Sequence, residues 1–145
     1  MRAIRAIALM AALVMALMSV SATSAIAVKA KGNANGYAVS PQGTLSFHAS
    51  TGGKGGFIFT PTGEGSFSGK VTCYSQDGMS ATFVGVVTKT SNADVEVGDT
   101  VQFNLRDNNS PTVKDAMLYT ENGDACGVND AGLIPLDSGD IKITS

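Results

Sequence analysis

Tryptophan is absent from this 145-residue chain, histidine occurs once and cysteine twice. Without Trp, the indole that packs on the disulfide of immunoglobulin domains is missing. With only three Tyr, there is also little from which to build aromatic sugar platforms beside a glycosidase carboxylate pair. The single histidine, His48, is the one base through which a Ser-His-Asp or Cys-His mechanism would have to run. It falls on the polar side of an alternating segment, where a solvated surface role is the ordinary one. Neither Ser46 nor Ser50 beside it lies in a G-x-S-x-G elbow. Gly63-Glu64-Gly65 with Gly69 misses the G-x-G-x-x-G spacing by one residue and leads into a strand rather than a helix. Gly52 to Gly56 lacks the Lys-Ser/Thr ending of a P-loop. No catalytic residue, cofactor or cofactor-binding residue is therefore assigned.

Long hydrophobic runs are missing too. The longest uncharged apolar stretch, Ala6 to Met18, is 13 residues, short of the roughly 20 that cross a bilayer as a helix. Arg2 and Arg5 precede it, and Ala25-Ile26-Ala27 closes the small polar stretch that follows. That order of positive, apolar and small-residue regions is the pattern of a secretory signal peptide over 1–27, cleaved before Val28. The expected product is secreted or periplasmic and does not span the membrane. No Cys lies near the cleavage site to carry a lipid anchor.

Positive charge is scarce beyond the leader. Residues 28–145 carry 8 Lys and Arg against 12 Asp and Glu, net −4, which leaves no basic patch for nucleic acid; Lys29 and Lys31 alone are too few. The charge is split along the chain: residues 28–93 hold 5 Lys and 2 acids, whereas 94–145 hold 10 acids and 3 Lys or Arg. Asp107, Asn109 and Asp115, or Asp124, Asn129 and Asp130, offer the hard oxygens that Ca²⁺ prefers. Neither set has the D-x-[DN]-x-[DN]-G-x₅-E loop, so solvated turn acids are the preferred reading and no metal site is assigned. In an oxidising compartment, the even pair Cys73 and Cys126 reads as one disulfide closing a loop of 52 intervening residues.

What is present is alternation. Val28 to Gln42 has no sustained period and reads as a flexible N-terminal arm, leaving 43–145 as one domain. Leu45, Phe47 and Ala49 alternate with Thr44, Ser46 and His48, the period of a half-buried strand. Ser50 to Gly56 reads as a glycine-rich loop, and Phe57 to Thr60 as a short strand. In Ser66 to Ser75, Phe67, Gly69, Val71 and Cys73 share one face. Asp77-Gly78 marks a hairpin into Met79 to Thr90. Thr100 to Arg106, Ala116 to Thr120 and Ile141 to Ile143 follow, with Asp107 to Pro111 a turn and Glu121 to Ser138 irregular. No segment beyond the leader has helical spacing. The expectation is an all-β fold, an antiparallel sandwich or small barrel of about seven or eight strands with one disulfide.

The runs Gly69-Lys70-Val71-Thr72-Cys73, Ala81-Thr82-Phe83-Val84-Gly85, Gly98-Asp99-Thr100-Val101-Gln102-Phe103, Asp107-Asn108 and Gly139-Asp140-Ile141-Lys142-Ile143 resemble the pattern of a group of uncharacterised secreted bacterial β-domains. The likeness covers about residues 43–144, with Asn109 where Gly often follows the Asp-Asn pair. It implies fold and compartment and supplies no catalytic residue. The functional expectation is a non-catalytic extracellular binding or structural module whose partner is an extracellular protein or cell-surface polymer. Two alternatives are an exported inhibitor or interaction factor presenting a rigid loop, Gly52 to Gly56 or Asp107 to Pro111, and a small hydrolase using His48 or an acidic pair.

Overall fold

A computed structural model describes residues 32–145; the leader expected over 1–27 lies outside the described residues. Nine strands run β1 Asn33–Ser40, β2 Gly43–Ser50, β3 Lys54–Pro61, β4 Phe67–Asp77, β5 Ser80–Thr90, β6 Thr100–Arg106, β7 Ala116–Glu121, β8 Ile134–Pro135 and β9 Ser138–Thr144, with no helix among the described residues. All pair antiparallel in a single sheet of order β8-β7-β6-β5-β4-β3-β2-β1-β9. Laid flat, such a sheet would hold its first and last strands about 38 Å apart at the usual ~4.8 Å spacing. Yet only Leu136 and Asp137 separate β8 from β9, and so short a link spans about 11 Å. The sheet therefore curls into a half-barrel. The link is tied to both ends of it: Leu136 N–H donates to the Asp115 carbonyl at 2.8 Å and Asp137 N–H to the Val39 carbonyl at 2.7 Å.

The inside of the curl is aromatic. All six phenylalanines, Phe47, Phe57, Phe59, Phe67, Phe83 and Phe103, are buried there with Leu45, Val71, Val87, Leu105, Met117, Ile141 and Ile143. The rings touch in a continuous set, from Phe47 on Phe83 with centroids 5.5 Å apart, through Phe57 and Phe103, to Phe59 and Tyr119 at 4.5 Å. Gly69 and Gly85 lie under the Phe57 ring, and a Cβ at either would strike it.

Four sequence expectations change. The all-β antiparallel class holds, but in place of the sandwich or small barrel of seven or eight strands the chain forms a single curled half-barrel sheet of nine. The supposed arm over 28–42 contains β1, paired on one side to β2 and on the other to β9. Its inward positions are Ala34, Gly36 and Ala38, too small to register as hydrophobic alternation; a Cβ on Gly36 would collide with the Asp140 carbonyl. Gly55 and Gly56 belong to β3, which shrinks the glycine-rich loop to Thr51, Gly52 and Gly53. Finally, the β4–β5 register slips between Val71 and Cys73. This bulge carries Tyr74 to the core side and turns Cys73, opposite Val84, to the outer face.

That outward turn allows the disulfide. Cys73 and Cys126 are bonded with Cα atoms 6.0 Å apart, fastening residues 122–133 over the outer face of β5 and β6. Under this flap Val84, Thr82, Gln102 and Asn104 are buried although they point away from the barrel interior. Their polar groups satisfy one another: the Thr82 hydroxyl donates to Asn104 Oδ1 at 2.7 Å and Gln102 Nε2 donates to the same oxygen at 3.1 Å. Asp130 in the flap accepts from Arg106 at 2.8 Å and from the Ser80 hydroxyl at 2.9 Å.

Two tyrosines in the core carry a pH signature. Burial pushes the Tyr74 hydroxyl up to about 12. Burial raises Tyr119 as well, and the Glu121 carboxylate adds to the shift. The Tyr119 hydroxyl is buried with no hydrogen bond of normal geometry, so Glu121 acts on it by charge. Both phenols ionise later in the folded state than in the unfolded chain, where the value is near 10. Their stabilising contribution is thus complete below pH 10 and is lost as pH rises through the folded values. Melting temperature is expected to stay level between pH 8 and 9.5 and then fall steeply. Tyr119→Phe, which removes an unpartnered hydroxyl, is expected to be neutral or up to about 1 kcal/mol stabilising at pH 7 and to reduce the alkaline fall; a loss above 1 kcal/mol in urea melts would mean that the hydroxyl has a partner.

Candidate functional site

The two ends of the sheet meet along a seam, and side chains seal it where strands do not pair. Asp115 accepts from Ile141 N–H at 2.8 Å and Asn108 N–H at 2.9 Å, one on each carboxylate oxygen. Asp107 does the same for Ile143 N–H at 3.1 Å and Asn109 N–H at 2.7 Å. On the opposite side the Gln42 amide bonds both main-chain groups of Tyr119, accepting from its N–H at 2.8 Å and donating to its carbonyl at 3.2 Å. The side chains thus satisfy strand-edge groups that would otherwise recruit another chain.

The first of the two acid sets weighed for Ca²⁺ is therefore structural, with both oxygens of Asp107 and of Asp115 already used on the backbone. In the second set Asp130 pairs with Arg106, Asn129 caps the N–H of Ala131 at 2.9 Å, and Asp124 stands exposed. Charge-assisted bonds to buried N–H groups contribute about 1.5–3 kcal/mol each. Asp107→Asn keeps an acceptor but loses the charge, and is expected to cost about 1–2 kcal/mol in denaturant melts; an unchanged midpoint would show that the seam does not depend on that carboxylate.

Beside the seam a groove of about 550 Å³ runs between the Asp107–Asp115 loop and β9, bordered by Asn109, Ser110, Thr112, Lys114, Asp140 and Lys142. The loop is fixed by the bonds to Asp107 and Asp115. The other candidate loop, Gly52 to Gly56, is reduced to a tight hairpin turn over 51–53, its remaining residues being part of β3.

His48 lies exposed on β2, between Asn35 of β1 and Gly56 of β3. No acid is its cross-strand neighbour, and Ser46 and Ser50 stand two residues to either side. What surrounds it is an open sheet face. The outer positions of β1, β2, β3 and the first half of β4 carry no carboxylate. The strand register aligns Lys142, Asn35, His48, Gly56 and Lys70 in one cross-strand row, and Asp140, Tyr37, Ser46, Ile58, Ser68 and Lys89 in the next. Tyr37 and Ile58 are large and more than half exposed, at 55% and 56%. Shallow depressions flank Ile58: one of about 460 Å³ over Ser46, His48, Gly56 and Gly69, and one of about 240 Å³ toward Ser68 and Lys89.

Sequence reasoning reached His48 but missed this face. Tyr37 was hidden in the supposed arm. Ile58 was legible as the outward residue of Phe57-Ile58-Phe59, an apolar side chain at a position that alternation assigns to solvent. The lysines are scattered in sequence and align only through the register. Among the described residues, no three His, Cys, Asp or Glu side chains cluster to hold a metal ion, and no helix is long and apolar enough to cross a membrane. Comparison with protein-family models, with curated proteins and with solved structures returns no match.

Proposed function

We propose that this chain is a non-catalytic binding module, exported behind the leader 1–27, that recognises an extracellular partner with the outer face of β1 to β4. One observation carries the reading. The outer face of the sheet is treated in two ways: over β5 and β6 it is covered by the disulfide-fastened flap, while over β1 to β4 it is bare and presents Tyr37 and Ile58 to solvent. Large exposed apolar side chains on an otherwise polar face are a mark of interaction sites. The resemblance to secreted bacterial β-domains agrees with export.

A second reading has its own support: an inhibitor or interaction factor presenting the Asp107–Pro111 loop, held rigid by Asp107 and Asp115 beside the seam groove. Co-sedimentation of the purified protein with cell-envelope material separates the two. The protein is expected to pellet, Tyr37→Ala with Ile58→Ser to remain in the supernatant, and Thr112→Ala with Val113→Ser to pellet like the parent. The reverse pattern would replace the sheet face by the loop. N-terminal sequencing of the exported protein is expected to begin at Val28.

A further inference from the structure

We infer that the outer face of β1 to β4 takes an anionic polysaccharide lying across the strands, with Lys70, Lys89 and Lys142 meeting its carboxylates and Tyr37 and Ile58 its sugar rings. The inference rests on the proposed use of this face and adds the chemical class of its occupant. Three lysines, Lys70, Lys89 and Lys142, stand in the two rows across the face and its flanking strands against one carboxylate, Asp140, and Lys54 lies in the adjoining row opposite Ser50. The only ion pair among the described residues, Arg106 with Asp130, lies at the exposed edge of the flap and uses none of them. The flap, residues 122–133, by contrast carries two acids, Asp124 and Asp130, and no Lys or Arg, so it does not attract a polyanion as this face does.

The cations are spread out. Lys142 and Lys70 are four strands apart in one row, about 19 Å at ordinary strand spacing. Such spacing suits a charge repeated along a chain better than one phosphate in a pocket. A peptide is disfavoured because sheets most often capture peptides by adding a strand at an open edge. Here the edge groups are taken: Ile141 and Ile143 by Asp115 and Asp107, Tyr119 by Gln42. The floor is instead a surface of small polar side chains, Asn35, Ser46 and Ser68, with the Tyr37 ring on top.

Gly56 supports the same conclusion. Its backbone has no positive φ, and a Cβ there would meet only the Gly69 carbonyl, at 3.3 Å. No turn geometry requires glycine, the one tight contact would be relieved by a shift of a few tenths of an ångström, and a glycine within a strand weakens it. What the missing side chain does is keep open the depression between His48 and Gly69.

The experiment is affinity electrophoresis and titration calorimetry of the purified protein with linear polygalacturonate, neutral dextran, poly-glutamate and oligo-dT. Polygalacturonate is expected to bind at least tenfold tighter than the other three, more weakly as salt rises. Lys70→Glu with Lys89→Glu is expected to lower its affinity at least tenfold, Tyr37→Ala about fivefold. Gly56→Gln is expected to weaken binding at least fivefold with a melting temperature within about 5 °C of the parent. Equal binding of dextran, lost on Tyr37→Ala, would overturn the anionic occupant and leave the recognition face standing. Preference for poly-glutamate or oligo-dT would also overturn the glycan alone, provided the lysine variant loses it. Absence of binding to all four overturns the inference. Polygalacturonate binding that survives every face variant but is lost on Thr112→Ala with Val113→Ser would overturn both the inference and the proposed face.

Discussion

Cys73→Ser combined with Cys126→Ser is expected to lower stability by about 4 kcal/mol, the chain-entropy value for a closed loop of this length. The native pair is 53 residues apart in sequence, so the unfolded chain gains the freedom of nearly half the described domain when the bond is absent. Little else holds the flap. The Arg106–Asp130 pair is nearly half exposed on both sides, and such pairs contribute about 0–1 kcal/mol. The loss should therefore have a local component. Without the bridge, residues 122–133 can lift from β5 and β6 and wet the Thr82–Asn104–Gln102 set, which is buried only because the flap covers it. Melting temperature is expected to fall by roughly 12–20 °C. Native-state hydrogen exchange is expected to show faster exchange in 122–133 while β2 and β3 stay protected. A fall of under 5 °C would mean that packing under the flap holds it unaided. Arg106→Ala, which removes only the ion pair, is expected to change the midpoint by less than 1 kcal/mol.

The disulfide was legible from two cysteines and an apparent leader. Its structural consequence was not, because strict alternation assigned Cys73 to the core with Phe67 and Val71. One extra residue at the bulge reverses that assignment for the rest of β4. The same limit runs through the fold. β2, the β4–β5 hairpin at Asp77-Gly78 and β6 declare themselves through phenylalanine, leucine and valine at every second position. β1 does not, since its inward residues are Ala34, Gly36 and Ala38, and at Gly36 a Cβ would strike the Asp140 carbonyl of β9. Closure escapes any reading by period: the seam depends on Asp107, Asp115 and Gln42 meeting backbone groups from strands far away in sequence. Asp107 and Asp115 looked like cation ligands because the chemistry that suits Ca²⁺, hard anionic oxygens in turns, also suits strand-edge N–H groups. The candidate recognition face is dispersed for a related reason. Tyr37, Ile58, Lys70, Lys89 and Lys142 belong to five strands, and only the register makes them neighbours.

Phe57→Ala is expected to be the most damaging single change inside the curl, at about 3–5 kcal/mol. The ring is 3% exposed and touches Phe67, Phe83 and Phe103, so its removal opens a cavity between three aromatic neighbours fixed to different strands. Relaxation cannot fill that cavity, because the backbone on its floor is Gly69 and Gly85, which have no side chains to move in. The seating of the ring on glycine makes a sharper test than the single variant. Gly85→Ala in the parent drives a methyl into the Phe57 ring and is expected to cost about 1–3 kcal/mol. In the Phe57→Ala background the same methyl keeps only its 3.0 Å contact with the Lys70 carbonyl, so most of its cost should disappear. Urea denaturation of the four proteins gives the coupling directly, with an expected interaction of about 1–3 kcal/mol between the two sites. Additive losses would show that the strands separate around the ring. Ile58 supplies the internal control, since it is the next residue on the same strand and points outward. Ile58→Ser is expected to leave stability within about 0.5 kcal/mol, so an effect of Ile58→Ser on envelope binding would report recognition and not folding.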